Sequence, residues 1–114
     1  MAEMPGKTQK KVDGIKRVEK YIDSLPLDEQ ADAWLTLEQM ENGELNATLY
    51  KTWRGKIKEV YFKKDNRIFF VVVGGTIHLL YACKKQKNKT SKKDADMVVK
   101  RARELQRLLG KSFI

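Results

Sequence analysis

Lys58, Arg67, Lys84 and Lys85 lie in or beside three β-prone runs, "KIKEVYF" (56–62), "RIFFVVV" (67–73) and "TIHLLYAC" (76–83), and the last run passes into the lysine tract "KKQKNKTSKK". Cations converging beside aromatic side chains are what a nucleic-acid groove requires, because phosphates take the charges and unstacked bases take the rings. The same residues have a plainer reading as a solvated sheet face followed by a basic loop. Other chemistries find less support. Cys83 is the only cysteine. Lys84 and Lys85 could lower its pKa, but no base accompanies it, and Leu79, Leu80 and Ala82 suggest a buried thiol. His78 is the only histidine and no carboxylates stand at ligand spacing, so neither a metal nor another cofactor is expected.

The elements that position these residues follow from turn chemistry and periodicity. Gly74-Gly75 between β-branched runs predicts a two-residue hairpin. Val73 then faces Thr76, Val71 faces His78, Phe69 faces Leu80 and Arg67 faces Ala82. Strand alternation puts Ile68, Phe70, Val72, Ile77, Leu79 and Tyr81 on a core face under the helices. Arg67, Phe69, Val71, Thr76, His78 and Leu80 are left on an open face. A turn at Lys64-Asp65 or at Asp65-Asn66 brings in the preceding strand, and both registers put Lys56, Lys58, Val60 and Phe62 on the face of Arg67. The expected result is a half-apolar floor carrying Lys56, Lys58 and Arg67, with Lys84 and Lys85 leaving the sheet at the Arg67 end.

Helices account for the rest. Ile15, Val18, Ile22 and Leu25 recur at helical spacing over 12–23, and Pro26 ends that helix. A second helix is expected with Asp28 as N-cap and Leu27, Ala31, Trp34 and Leu37 on one face, closed by Asn42-Gly43. The two read as an αα-hairpin. "NATLYKTWRG" reads as a loop, with Trp53 packing at the core edge or stacking on a base. The last helix, from about Ser91 to Gly110, has Ser91 and Asp94 at capping-box spacing. Val98, Ala102, Leu105 and Leu109 form its apolar stripe, and Lys100, Arg103, Arg107 and Lys111 a basic one. Residues 1–10 read as a flexible basic lead-in to a single domain spanning 1–114.

The 114 residues carry a net charge of +9 with a pI near 9.7. On a small domain that surplus favours an anionic partner: nucleic acid, an acidic protein or an anionic membrane face. The N-terminal stretch has no apolar signal region, and the uncharged run is too short to span a bilayer. With a lone cysteine, a cytoplasmic location and no membrane partner are expected.

The order and spacing of "YIDSLP", "KIKEVYFKKDNRIFFVV" and "LLYACKKQKNKT" ahead of a basic helix resemble the RelE/HigB superfamily of toxins, in particular its phage-derived HigB-like branch. The likeness runs from about Val18 to Leu109. It implies an α+β fold, an αα-hairpin packed on a small antiparallel sheet with a C-terminal basic helix. It also implies the toxin of a type II toxin–antitoxin pair, neutralised by a cognate helix-turn-helix antitoxin of HigA type. The implied activity is ribosome-dependent cleavage of mRNA, in which the 2′-hydroxyl attacks the adjacent phosphate without a metal.

Carried over by position, Arg67 matches the arginine that contacts the scissile phosphate, Lys58 a basic position that could accept a proton, and Lys85 or Lys84 the basic position after the last strand. Lys56, Lys84, Lys87, Lys89 and His78, with Lys100, Arg103 and Arg107, are the expected RNA contacts. Tyr81 stands where HigB-like sequences often have histidine. The chain departs from the family in showing no N-terminal strand, in lacking the arginine of the "E-L-R" stretch after Glu59, and in having no tyrosine after Lys85. Two alternatives remain alongside the enzyme: a ParE-like toxin that inhibits DNA gyrase by binding, and a noncatalytic phage-derived nucleic-acid-binding module.

Overall fold

Two adjacent strands that are apolar throughout have no solvated side to turn outward, so "RIFFVVV" and "TIHLLYAC" need cover on both faces. The structure, a computed structural model, describes residues 10–43, 50–85 and 89–114. The elements in chain order are β1 (Lys11–Asp13), α1 (Lys16–Asp23), α2 (Leu27–Glu41), β2 (Tyr50–Arg54), β3 (Ile57–Phe62), β4 (Asn66–Val73), β5 (Thr76–Lys84) and α3 (Lys92–Leu109). The strands make one five-stranded sheet in the order β1-β5-β4-β3-β2. β1 runs parallel to β5, and every other neighbouring pair is antiparallel.

The αα-hairpin buries Val18, Ile22, Ala33, Leu37 and Met40 against Val60, Ile68, Phe70, Ile77 and Leu79 on one face. The C-terminal helix α3 buries Val98, Ala102 and Leu105 against Ile57, Phe69, Val71 and Leu80 on the other. The α+β class is as expected, but the open floor is not there: Phe69, Val71 and Leu80 are fully buried. The stripe of α3 has to be covered too, and this face of the sheet is what covers it.

The hairpin register holds near its turn and changes further out. Val73 pairs with Thr76 and Val71 with His78, as the Gly74-Gly75 turn dictates. A β-bulge follows, after which Phe69 pairs with Tyr81 and Arg67 with Cys83, in place of Leu80 and Ala82. The extra residue in β5 puts Leu80 and Tyr81 both on the α3 side. Tyr81 therefore leaves the helical-hairpin core to which simple alternation assigned it.

Other boundaries also move. Val12, expected at the start of the first helix, lies in β1, where Lys11, Val12 and Asp13 pair with Thr76, Ile77 and His78. Three residues show too little alternation to read as a strand, and their neighbours decide the outcome. Gly14 turns the chain from β1 into α1 with φ +88°, so close to β5 that a Cβ would lie 2.7 Å from the Leu79 carbonyl oxygen. Tyr50–Arg54, expected in a loop, forms β2 and returns onto β3 through Gly55-Lys56.

α2 begins behind Pro26 with no side-chain cap, so Asp28 does not serve as one. Its buried stripe is Ala33, Leu37 and Met40, while Leu27 and Trp34 of the expected stripe are 82% and 38% exposed. α3 starts as expected, with the Ser91 hydroxyl accepting from the Asp94 backbone N–H. Among the described residues no helix is long and apolar enough to cross a membrane.

Burial on both faces has a direct consequence. Phe69 is fully buried and meets Trp53 edge-on, ring centroids 5.2 Å apart. Phe69→Ala should therefore destabilise the fold by about 3–5 kcal/mol, as a large core truncation does. Urea unfolding at constant m-value measures it, and a near-neutral result would mean that α3 does not cover this face.

Candidate functional site

The site is set by the connection between β3 and β4. Phe62 pairs with Asn66, so the loop is the three residues 63–65, one more than either turn considered from the sequence. Lys64 and Asp65 both adopt left-handed backbone, φ 66° and 65°. Side chains alternate with period two, so one added residue exchanges the faces of β3. Tyr61 pairs with Arg67 and Glu59 with Phe69, whereas Lys58 pairs with Phe70. Glu59 and Tyr61 therefore join Arg67 on the α3 side, and Lys58 goes to the αα-hairpin side.

Glu59 has no solvent exposure and collects cations on one oxygen. Its Oε1 lies 3.2 Å from Lys85 Nζ, 3.7 Å from Arg67 Nε and 3.8 Å from Lys51 Nζ. The side chains of Arg67 and Lys85 are themselves only 8% and 7% exposed, whereas Lys51 is 56% exposed. Tyr61 forms the wall of the cluster. The Arg67 guanidinium stacks 3.7 Å from its ring centroid, with Lys51 and Lys85 at 5.3 and 5.8 Å.

Three cations on one carboxylate leave a formal surplus of positive charge, with Arg67 and Lys85 nearly out of water and Lys51 at the surface, and such a surplus favours an added anion. Two polar atoms at the centre, Glu59 Oε2 and Arg67 Nε, are buried without a hydrogen-bond partner among the described residues, as is His78 Nδ1 elsewhere in the sheet. Buried polar atoms are nearly always paired, so two such atoms in one cluster are unusual.

The remaining residues singled out in the sequence lie elsewhere. Lys84 points to the opposite face from Lys85, with its Nζ 3.3 Å from Glu29 Oε1. Glu29 also accepts from Asn66 Nδ2 at 2.8 Å, and Asn66 Oδ1 accepts from the Tyr21 hydroxyl, so this network ties the αα-hairpin to β4. Lys58 Nζ stands 5.6 Å from the Tyr50 ring centroid and lines a groove with Met40, Phe70, Val72 and Ile77.

Lys56 is exposed in the β2–β3 turn, its backbone N–H donating to the Phe113 carbonyl at 2.7 Å. His78, expected on an open face, is buried beside Asp13, Nδ1 to Oδ2 3.5 Å. It lies four residues along β4 from the Arg67 pairing, or about 13 Å at the rise of a strand. Lys89 is exposed, and Lys87 lies outside the described residues. Lys100, Arg103 and Arg107 line a separate groove on α3 with Arg54, Asp96 and Glu104.

Two side chains that could do acid–base or nucleophilic work are held protonated. Burial pushes the Cys83 thiol up to about 12, which removes it as a nucleophile at neutral pH. Burial, then the bond to Asp94, pushes the Tyr81 hydroxyl up to about 12, and it donates to Asp94 Oδ1 at 2.7 Å.

Arg67 and Lys85 thus come together, and Lys58 does not join them. The residues missing from the sequence reading are Glu59, Tyr61 and Lys51. Glu59 was legible as the one carboxylate inside an otherwise basic and apolar strand. Lys51 was hidden by the loop assignment of β2.

A family model described as "Phage derived protein Gp49-like (DUF891)" matches residues 20–103, most of the chain. The chain belongs to the Gp49-like family. No curated protein matches it. The Gp49-like family is of RelE/HigB-like toxin type, in agreement with the resemblance at the level of the superfamily. All of Lys51, Glu59, Tyr61, Arg67 and Lys85 fall inside the Gp49-like match.

If Glu59 is the shared counter-ion, Glu59→Gln should destabilise the protein by about 3 kcal/mol, since removing one partner strands buried charge. In the Lys85→Met background the same substitution should cost much less. Urea midpoints of the two singles and the double measure the coupling, and additive effects would show that the two groups do not depend on each other.

Proposed function

We propose that this Gp49-like chain is the toxin of a type II toxin–antitoxin pair, of the phage-derived HigB-like branch, and that it cleaves mRNA on the ribosome. The observation that carries the reading is the cluster at Glu59: a buried carboxylate with a free oxygen, two nearly buried cations beside it, and an aromatic wall. Such a cluster suits attack of a ribose 2′-hydroxyl on the adjacent phosphate. Glu59 Oε2, buried in the unliganded chain and uncovered as the substrate enters the cluster, takes the hydroxyl proton as the O2′–P bond forms. Arg67 and Lys51 bind the charge that grows on the phosphoryl oxygens. The P–O5′ bond then breaks, with Lys85 giving its proton to the leaving oxygen, which yields a 2′,3′-cyclic phosphate and a 5′-hydroxyl.

This assignment differs from the one drawn from the resemblance. The proton acceptor is Glu59 and not Lys58, and Lys85 rather than Lys84 is the cation after the last strand. Lys51, reaching in from β2, supplies a cation near the point where the "E-L-R" arginine is missing. The Tyr61 ring is the surface on which a flanking base stacks. Lys100, Arg103 and Arg107, with Arg54 across the groove, add attraction for ribosomal RNA, and the same charges attract an acidic segment of the cognate antitoxin.

Single-turnover cleavage of mRNA on translating ribosomes tests the reading. Arg67→Ala should slow cleavage by roughly 10²–10³, the scale of one lost transition-state donor, and Glu59→Gln should abolish it. Lys58→Ala should cut at the parental rate, and it separates this site from the one expected in sequence. Lys100→Ala should weaken ribosome binding and steepen its salt dependence while leaving the chemical step intact. A parent that arrests growth without cutting RNA would overturn the enzyme in favour of a gyrase-binding toxin. Unimpaired growth at verified soluble expression would leave the noncatalytic module.

A further inference from the structure

α2 is apolar on two sides. One side is the core stripe of Ala33, Leu37 and Met40. On the opposite side Leu27, Ala31, Trp34 and Leu35 recur at i, i+4, i+7 and i+8, which places them along one line of a helix. All four are exposed: Leu27 82%, Leu35 50% and Trp34 38%, with Ala31 between them. Among the described residues none of these four belongs to either hydrophobic cluster, and the line runs from Leu27 to Leu35 of α2.

The charges that α2 itself carries are of one sign. α2 carries Asp28, Glu29, Asp32, Glu38 and Glu41 and no basic residue. Glu29 belongs to the buried network, Asp28 and Asp32 lie to one side of the stripe, and Glu38 and Glu41 lie at its C-terminal end. The rest of the chain is so basic that its net charge is +9 despite these acids. A second copy of the same helix would bring like charges together, which disfavours self-pairing, and an anionic membrane face is disfavoured by the same rim.

We propose that the outer face of α2 docks an amphipathic helix of a partner protein, one whose apolar stripe is flanked by lysines and arginines. Trp34 is the anchor, the largest side chain of the stripe, beside Leu35 and two turns from Leu27. Glu38 and Glu41 select the basic flanks, while Asp28 and Asp32 are already engaged by Lys63, Asp28 through its side chain at 3.2 Å and Asp32 through its backbone N–H at 2.7 Å. The surface is separate from the Glu59 cluster, and its occupant does not depend on whether that cluster cuts RNA.

The test uses the full chain and two fluorescent synthetic helices of about 18 residues, enough to run the length of α2. Both carry the same leucine stripe, flanked by lysine in one and by glutamate in the other. Overall charge would favour the glutamate helix, so the comparison separates local from global attraction. At physiological ionic strength the lysine helix should bind at least about tenfold tighter, the scale on which complementary and mismatched charge differ.

Trp34→Ser and Leu35→Ser should each weaken that binding by about tenfold or more, and Leu35→Ser, whose side chain is half exposed, should do so with an unfolding midpoint close to the parent. Glu38→Lys with Glu41→Lys should reverse the preference. Tighter binding of the glutamate helix, no binding of either, or binding indifferent to Trp34→Ser overturns the proposal. So does a dimer in sedimentation that Leu35→Ser dissociates, which would make a second copy the occupant.

Discussion

Two consecutive residues with left-handed backbone, Lys64 and Asp65, decide what this protein can do. Neither is glycine, and each such conformation costs on the order of 1 kcal/mol. The surroundings hold the loop in place. Asn66 Nδ2 donates to the Lys63 carbonyl at 2.6 Å, the Lys63 N–H donates to Asp32 at 2.7 Å, and the Lys85 N–H donates to the Asp65 carbonyl at 2.9 Å. The third loop residue turns Glu59 toward Arg67 and sends Lys58 away from it. In the alternative register Glu59 would turn toward the apolar cluster of Val18, Leu37 and Phe70 and away from Arg67 and Lys85. The loop geometry and the burial of one charge therefore enforce the same arrangement.

The two helical layers explain why charge gathers where it does. α3 packs on the cluster of Ile57, Phe69, Val71 and Leu80, and beside Cys83 the Tyr61–Arg67 pair is left to polar side chains. There the last strand releases Lys84 to one side and Lys85 to the other by simple alternation. One lysine joins Glu29 and Asn66 beneath the αα-hairpin, and its neighbour joins Glu59 on the far side. Adjacent residues of the same type thus have different partners, and substituting one is not equivalent to substituting the other.

Much of the fold was legible. The Gly-Gly hairpin, the αα-hairpin behind Pro26 and the Ser91 cap each rest on a local signal whose physics is strong enough to survive packing. What escaped was decided by tertiary partners. A bulge at Leu80 leaves no mark in an apolar run, three residues of β1 are too few to show alternation, and Leu27 and Trp34 fit helical spacing as well as Ala33 and Met40 do. The site was half legible for the same reason. Arg67 and Lys85 follow from their place at strand ends, but pairing them with Glu59 required a loop length that "KKDN" does not reveal.

The outer edge of β5 is closed in an unusual way. β1 pairs with Thr76, Ile77 and His78 and goes no further. The next carbonyls are occupied by side chains: Arg17 donates to the Leu79 oxygen at 3.1 Å and Arg101 to the Leu80 oxygen at 2.8 Å. A strand edge with free carbonyls is a template for another chain, and guanidinium groups seated on it remove the template. Arg17 comes from α1 and Arg101 from α3, so the two helical layers are clasped across that rim. Edge-to-edge addition of another strand is thereby opposed at this end, in a chain whose most apolar strand would otherwise invite it.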